Sequence, residues 1–568
     1  MEQQTAELLR ASVDRALFIE DCFRQRSPFC DREIIAEHLP VIRSDTERLD
    51  DEIAQLKTTL SLLERHRDRL NDSIEKGRWL AFPPPVRKLP SELVANIFTF
   101  ALSFDDGYNR LFSIPKEHDL PLPIPMSLSA VCSSWRETAL STPHLWSAIS
   151  LELDENTEAD QEVEHLRLIT ELFIARSHTS PLTLRVCSLT DVPAIETGDP
   201  FAMAIDHALE TLCQRSAQWF SIDLIQALPL YFLPAFQSVT GNLPNLRTLS
   251  ATAEALQDLS FIFAGSCPAL RSIELLWWTT LGPGDSLYPG LDAVPWRQVE
   301  DLILCKHDMS LRPSLIELVS WCPSLTSLNY SHNPDSTAHA ANHMHISAGH
   351  IKSNIETLSL TLFPNYTDSL WATFANQITL PRLSSLTLHK YSWREVKTGD
   401  ISPILRCISR SSCLITTLTI GYNTLERAQL YRDLFSLTPG LTSLIARNDD
   451  GPSVHGTLLR HNPARDLRDL LNLLLVDHNP VNGETSPDLL PRLRNIALDL
   501  DGTDEDLEAI YELVKSRWIP DQEMSPQVVV DCLRSVTITL PSLPERSPLE
   551  ELRKLGEEGL EVFINAGR

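Results

Sequence analysis

The sequence predicts an α/β chain: a helical N-terminal segment with a coiled-coil pattern, a small helical module, and a long C-terminal solenoid alternating strand and helix. Three observations carry the prediction. The chain has 568 residues, far beyond one ordinary core, so roughly three to four domains are expected unless a repeat array absorbs the excess. Leucine supplies 91 of those residues while glycine supplies only 19, a skew that points to rows of leucine. A short aliphatic phrase also returns along the C-terminal two thirds at a nearly regular interval. Hydrophobic residues at 43% and charged residues at 22% set aside disordered, collagenous and membrane classes.

The first region, residues 1–82, holds a heptad over about residues 42–76. Ile42, Leu49, Leu56, Leu63 and Leu70 recur at sevens, with Ile53, Leu60 and Ile74 in the companion row, the pattern of a coiled coil. Thr46 and Arg67 also occupy the companion row, and Gly77 followed by Pro83, Pro84 and Pro85 is expected to end the helix. Two outcomes stay open: a homodimer through this seam, or packing back onto the helix's own domain or onto the segment before it.

The second region, residues 83–150, reads as two short apolar helices. Pro90 suits a first helical turn because it has no backbone N–H to lose, and Leu93 and Ile97 share one face at i, i+4. After a polar, proline-rich stretch from Ser103 to Pro125, Leu128, Val131 and Trp135 repeat at helical spacing, and a new turn at Thr142 to Trp146 leads to a strand-like Ser147 to Leu151. The pair LPSELVANIF and LSAVCSSWRETA, followed by TPHLW, resembles the F-box motif in the F-box-like form common among fungal proteins. An insertion of about twenty residues separates the halves, where typical members have a shorter loop. The resemblance implies a three-helix module that docks on the Skp adaptor of a cullin-based ubiquitin ligase, with Leu89, Pro90, Leu93, Ile97, Phe98, Leu128, Val131, Cys132 and Trp135 as adaptor-binding candidates. A helix pair this short has little core of its own, which favours a partner.

The third region, residues 151–568, is the repeat array. Helix-then-strand phrases close at Leu182 to Val186 and at Trp219 to Leu224. The phrase L-x-x-L-x-L or its near equivalent then starts at Leu246, Leu270, Val299, Leu325, Ile355, Leu383, Ile415, Leu441, Leu493 and Leu533. The earlier steps run roughly 24 to 32 residues, within or just above the range of leucine-rich repeats, and the longer gaps before Leu493 and Leu533 suggest insertions or a missed unit. Stacked units bury a continuous leucine core that none could supply alone, and Gly559 to Ile564 reads as a terminal strand or cap. Together with the module, the chain resembles an F-box protein of the leucine-rich-repeat type, which implies a substrate receptor. The alternative is a coiled-coil, leucine-rich-repeat scaffold without a ligase link.

Strand alternation places the residues between the leucines on the concave surface. Ser272, Glu274, Asp301, Asn329, Ser359, Thr387, His389 and Asp499 are the candidates for facing a protein substrate. Catalytic chemistry is not expected: there is no Walker loop, G-x-G-x-x-G, G-x-S-x-G or H-E-x-x-H, and no cofactor is called for. His332, His339, His343, His345 and His350 cluster in a loop-like stretch that reads as a solvated insertion rather than a metal site. Cys267 and Cys322 read as small buried residues at turns. A net charge of −27 repels phosphate backbones, so nucleic acid is not an expected partner. With neither a signal-peptide pattern nor a run of about 18 apolar residues, the cytosol or nucleus is the expected compartment and no membrane association is expected.

Overall fold

The computed structural model describes residues 2–24, 32–81, 85–104, 109–110, 123–153, 159–188, 200–224, 236–252, 256, 260–263, 267–276, 293–307, 314–332, 350–362, 374–390, 401–421, 428–447, 463–476, 489–499, 504–518, 530–540 and 547–566. The chain divides into two units, Met1–Val94 and Ala95–Arg568.

The first unit is built on two long helices, α1 (Glu2–Arg24) and α2 (Arg32–Ala81). They run antiparallel, since Arg15 donates to Asp45 at 2.7 Å and the Phe18 ring meets the His38 ring edge-on at 5.6 Å between centroids. Along the first half of α2 the half-buried positions are Ile35, His38, Ile42, Asp45, Leu49 and Glu52. These alternate by three and four residues, the spacing of one helix face against a neighbour. The first half of the heptad region therefore packs on the preceding helix. Of the expected stop at Gly77 and the prolines after it, Gly77 itself does not end α2, which continues to Ala81, just short of Pro83 in the sequence; nothing within 4 Å meets a Cβ built at Gly77, and an exposed glycine costs a helix only about 1 kcal/mol.

In the second unit, among the described residues, fifteen strands form one parallel sheet: β1 (Asn109–Arg110), β2 (Ala148–Leu153), β3 (Leu182–Ser188), β4 (Trp219–Leu224), β5 (Thr248–Thr252), β6 (Ser272–Leu276), β7 (Asp301–His307), β8 (Ser327–His332), β10 (Thr357–Leu362), β12 (Ser385–Lys390), β13 (Thr417–Gly421), β14 (Ser443–Arg447), β15 (Asn495–Asp499), β16 (Ser535–Leu540) and β17 (Glu561–Ala566). Their spatial order is their chain order. A separate two-stranded sheet joins β9 (Ile351–Lys352) to β11 (Ile378–Thr379). Such sequential parallel order is the signature of one strand per stacked repeat.

Register explains the leucine rows. Leu249, Ile273, Leu302, Leu328, Leu358, Leu386, Leu418, Leu444, Ile496 and Val536 are successive register partners across the sheet, and all are buried. The residue that opens each phrase, three positions earlier, forms another row in which none is more than 2% exposed. Returning helices close this core from one side. The helix Ser402–Ser411 contributes Ile404, Cys407 and Ile408, and Pro463–Leu474 contributes Leu467, Leu470 and Leu471.

A second ladder runs just before the strands. The carbonyl of Arg247 accepts from both Arg271 and Ser272 N–H, that of Arg271 from Glu300 and Asp301, and that of Glu300 from Thr326 and Ser327. The same forked bond recurs at Thr326, Glu356, Ser384, Thr416, Thr442 and Arg494. It satisfies backbone groups at strand entry that the strand pairing itself cannot reach. Ser443 pairs directly with Asn495 and Asn495 with Ser535, so the longer gaps hold insertions and no strand is missing from the sheet there. The closing segment is a strand, β17, paired along its length with β16.

Candidate functional site

Two surfaces of the second unit gather the residues that the sequence singled out. The first is helical. Helix α3 (Ser91–Phe104) crosses the division between the units, and it is followed by α4 (Ile124–Val131), α5 (Ser133–Leu140) and a 3-10 turn, Pro143–Trp146. The apolar stretch from Met126 to Ala139 is two helices rather than one, because Cys132 adopts an extended conformation (φ −160°, ψ 171°) and its sulfur accepts the Trp135 N–H at 3.5 Å. Cys132 thus ends α4 and caps α5.

Burial sorts the candidates. Phe98 is 1% exposed and meets the Trp135 ring edge-on at 5.0 Å, so it holds the helices together. Leu128, Cys132 and Trp135 are half-buried. Ile97 and Val131, by contrast, are 48% and 61% exposed. Two residues that the sequence reading does not select join them: Phe100 at 64% and Leu140 at 39%. In the first unit Leu89 and Leu93 also stand exposed, as does Pro90, whose carbonyl caps α3 by accepting the N–H groups of Leu93 and Val94.

This helical segment is welded to the sheet that follows. Trp146 is fully buried, donates its indole N–H to the Ala139 carbonyl at 2.8 Å, packs on Phe173 at 5.0 Å and carries the Arg176 guanidinium over its face. Trp219 repeats the device two phrases later, donating to the Leu212 carbonyl at 3.1 Å. Helix α5 therefore occupies the place of a returning helix ahead of β2.

The second surface is the open face of the sheet. Ser272 and Asp301 are register partners in its outer row. Glu274, Asn329, Ser359 and Thr387 lie in the middle row, and His389 and Asp499 in the row beyond. All eight are half-buried, as side chains standing on a pleated face are. The middle row also contains what the sequence reading missed. Arg185, Asp223, Ser250 and Glu274 are consecutive register partners on β3 to β6. Arg185 Nε lies 3.0 Å from Asp223 Oδ2, and Ser250 Oγ donates to Glu274 at 2.9 Å. A charged residue between two inward aliphatics, as in Leu184-Arg185-Val186 and Ile222-Asp223-Leu224, is the signal that marks this row. Past Glu274 the middle row turns uncharged, through Ile303, Asn329, Ser359, Thr387, Thr419, Ile445, Ala497 and Thr537.

Among the described residues no group of three or more His, Cys, Asp and Glu could hold a metal ion. Of the histidine cluster, His339, His343 and His345 lie outside the described residues, while exposed His350 meets the Thr379 hydroxyl. Burial pushes the thiols of Cys213 and Cys322 up to about 12 and that of Cys267 up to about 11, so these cysteines are packing groups rather than nucleophiles. No helix among the described residues is long and apolar enough to cross a membrane.

No protein-family model matches the chain, and no curated protein matches it. Among solved structures, it is similar to the leucine-rich-repeat-containing protein LegL7 from Legionella pneumophila, with 13% identity, a TM-score of 0.32, and coverage of 72% of this chain and 98% of that one. It is also similar to a Bacteroides fragilis protein, at 12% identity and a TM-score of 0.28, covering 65% of this chain and 84% of that one. Rad7 in its complex with Elc1 from yeast appears in a third structure, at 13% identity and a TM-score of 0.25, covering 77% and 92%. These likenesses are too distant to decide a role. What the geometry itself establishes is an α/β chain with a long, sequentially ordered parallel sheet, carrying an exposed apolar helical surface ahead of it and a polar open face along it.

Proposed function

We propose that the chain is the substrate-recognition subunit of a Skp-cullin-F-box type ubiquitin ligase, with no catalytic chemistry of its own. The helical segment before β2 takes the Skp-type adaptor, and the open face of the sheet takes a protein substrate. The observation that carries the reading is the set Ile97, Phe100, Val131 and Leu140, large apolar side chains held 39–64% in water on helices that bury Phe98, Pro125 and Ala139. Large apolar side chains left in water on packed helices mark a protein interface. The F-box-like sequence of the same helices supplies the partner's identity.

At the substrate face, Glu274 in the middle row and Asp301 in the outer row, on adjacent strands, give the β6–β7 portion of the face negative character, and the overall charge of −27 steers in the same direction. A substrate segment with basic residues near that end fits best, with polar backbone contacts beyond it.

The test is co-purification of the full chain with a recombinant Skp-type adaptor. Wild-type chain is expected to retain the adaptor, and Ile97→Glu/Val131→Glu, altered only at solvent-facing positions, is expected to lose at least ~10-fold in affinity through two buried charges at the interface. Failure of the folded wild-type chain to retain the adaptor would reject the assignment. The scaffold reading, in which α2 and the sheet tether partners with no ligase link, draws on the bare stripe of α2; it predicts partners that co-purify equally well with the Ile97→Glu/Val131→Glu chain.

A further inference from the structure

Helix α2 is covered by α1 only along its first half. From Ile53 onward a stripe of large apolar side chains stands in water: Ile53 is 47% exposed, Leu56 65%, Leu60 57%, Leu63 63%, Leu70 53% and Ile74 54%. Their spacing of three and four residues makes a straight seam about 32 Å long at 1.5 Å per residue. Numbered as heptads, Ile53, Leu60, Arg67 and Ile74 are at a, and Leu56, Leu63 and Leu70 are at d. Lys57 and Glu64 fall at e, beside the seam, and both are exposed.

We infer that this stripe is closed by the same stripe of a second copy, running antiparallel, with Leu60 of each helix opposite Leu63 of the other. Charge selects this arrangement. A parallel, in-register pair would stack Arg67 directly on Arg67 of the partner copy in the middle of the seam. Its one compensation, Glu52 beside Lys57, lies at the end of the stripe where Glu52 is already half-buried. An antiparallel pair alternates a against d, so in the chosen register Arg67 faces Leu56, Ile53 faces Leu70, and Lys57 of each copy lies beside Glu64 of the other, twice per dimer. Sliding by one heptad in one direction brings Lys57 against Lys57, and in the other brings Glu64 against Glu64. Among these antiparallel registers, the one centred between Leu60 and Leu63 pairs opposite charges and separates the arginines. Arg67 carries its own counterion in Asp68, 2.9 Å away, and keeps 66% of its side chain in water, so its stem can lie along Leu56 while its head stays solvated. The first half of α2 is excluded from the seam because α1 already occupies it through the Arg15–Asp45 contact.

Neither adaptor nor substrate is needed for the test, so a failed dimer leaves the receptor reading standing. The full chain is examined by sedimentation equilibrium and light scattering at micromolar concentration. The expected mass is twice 63.9 kDa. Leu60→Glu/Leu63→Glu, at exposed positions, should give monomer with helical circular dichroism unchanged. Lys57→Glu should weaken the dimer at least ~10-fold by turning two attractions into repulsions. Adding Glu64→Lys should restore it, because the two exchanged charges again meet as opposites across the antiparallel seam; in a parallel pair the new carboxylate would face Glu52 and no rescue would follow. A wild-type monomer at ~100 μM, including one that instead carries a helix of another protein, would overturn the inference. So would a dimer indifferent to Leu60→Glu/Leu63→Glu. A dimer weakened by Lys57→Glu but not rescued by the double exchange would overturn the antiparallel register.

Discussion

At Arg517 a full guanidinium is shut away from water, with no part of the residue exposed. Its Nε donates to the Leu474 carbonyl at 2.6 Å and its two terminal nitrogens to Leu490 at 3.0 Å and Leu489 at 2.7 Å. These acceptors close one helix and open the next phrase, so a single side chain ties off the carbonyls of a neighbouring repeat. Arg517→Met keeps much of the volume but orphans buried acceptors, and should destabilise the chain by about 3 kcal/mol or more, read as a lower urea midpoint with unchanged slope. Nothing in Val514-Lys515-Ser516-Arg517 announces this role, because the acceptors lie 27 to 43 residues away. The cysteines are more legible: Cys267 and Cys322, each before a proline at a turn, are 4% and 1% exposed. Raised thiol pKa values have a direct readout. At pH 8, iodoacetamide should leave Cys213, Cys267 and Cys322 unmodified in the native chain and alkylate all three once it is unfolded, as peptide mass spectrometry would report.

Among the elements, the strands are easiest to anticipate and the faces of α3 hardest. A strand of a stacked repeat has one inward face, so its period of two separates the buried Ile273 and Leu275 from the half-exposed Ser272 and Glu274 without ambiguity. Helix α3 carries two apolar stripes. Val94, Phe98 and Leu102 are buried, whereas Leu93, Ile97 and Phe100 are exposed, and helical spacing alone ranks neither above the other. The sequence therefore groups Phe98 with the adaptor candidates and leaves Phe100 out. The break at Cys132 is hidden for a related reason: cysteine is a rare cap, and its sulfur substitutes for the oxygen that serine would offer. Likewise, the Arg185–Asp223 pair joins residues 38 positions apart, a link that only the strand register reveals. Gly559 is a case where the residue type does speak: it links the last helix to β17 with φ of 109°, a conformation that side chains other than glycine rarely tolerate.

For the molecule as a whole, the repeat period sets the topology of the sheet in advance because each phrase needs only its neighbours to bury its leucines. Insertion lengths obscure the count near Leu493 and Leu533, since an excursion between repeats leaves the register untouched. The charge balance is equally direct: a chain with 76 acidic and 49 basic side chains places its few open-face carboxylates where attraction to a basic segment is reinforced at a distance. What no global property conveys is the division of α2 into a covered half and a bare half, which depends on where α1 lies.

The forked carbonyl bonds have a mechanical corollary. Because each one links a repeat solely to its successor, cohesion is shared out rung by rung, and no central knot must come undone first. Amide exchange should accordingly be slowest for strands in mid-array, around β8 to β13, and quicken towards β2 and β17, a gradient that hydrogen–deuterium mass spectrometry can trace. Pulled from its ends, such a ladder would surrender in successive short slips, like teeth parting along a zip.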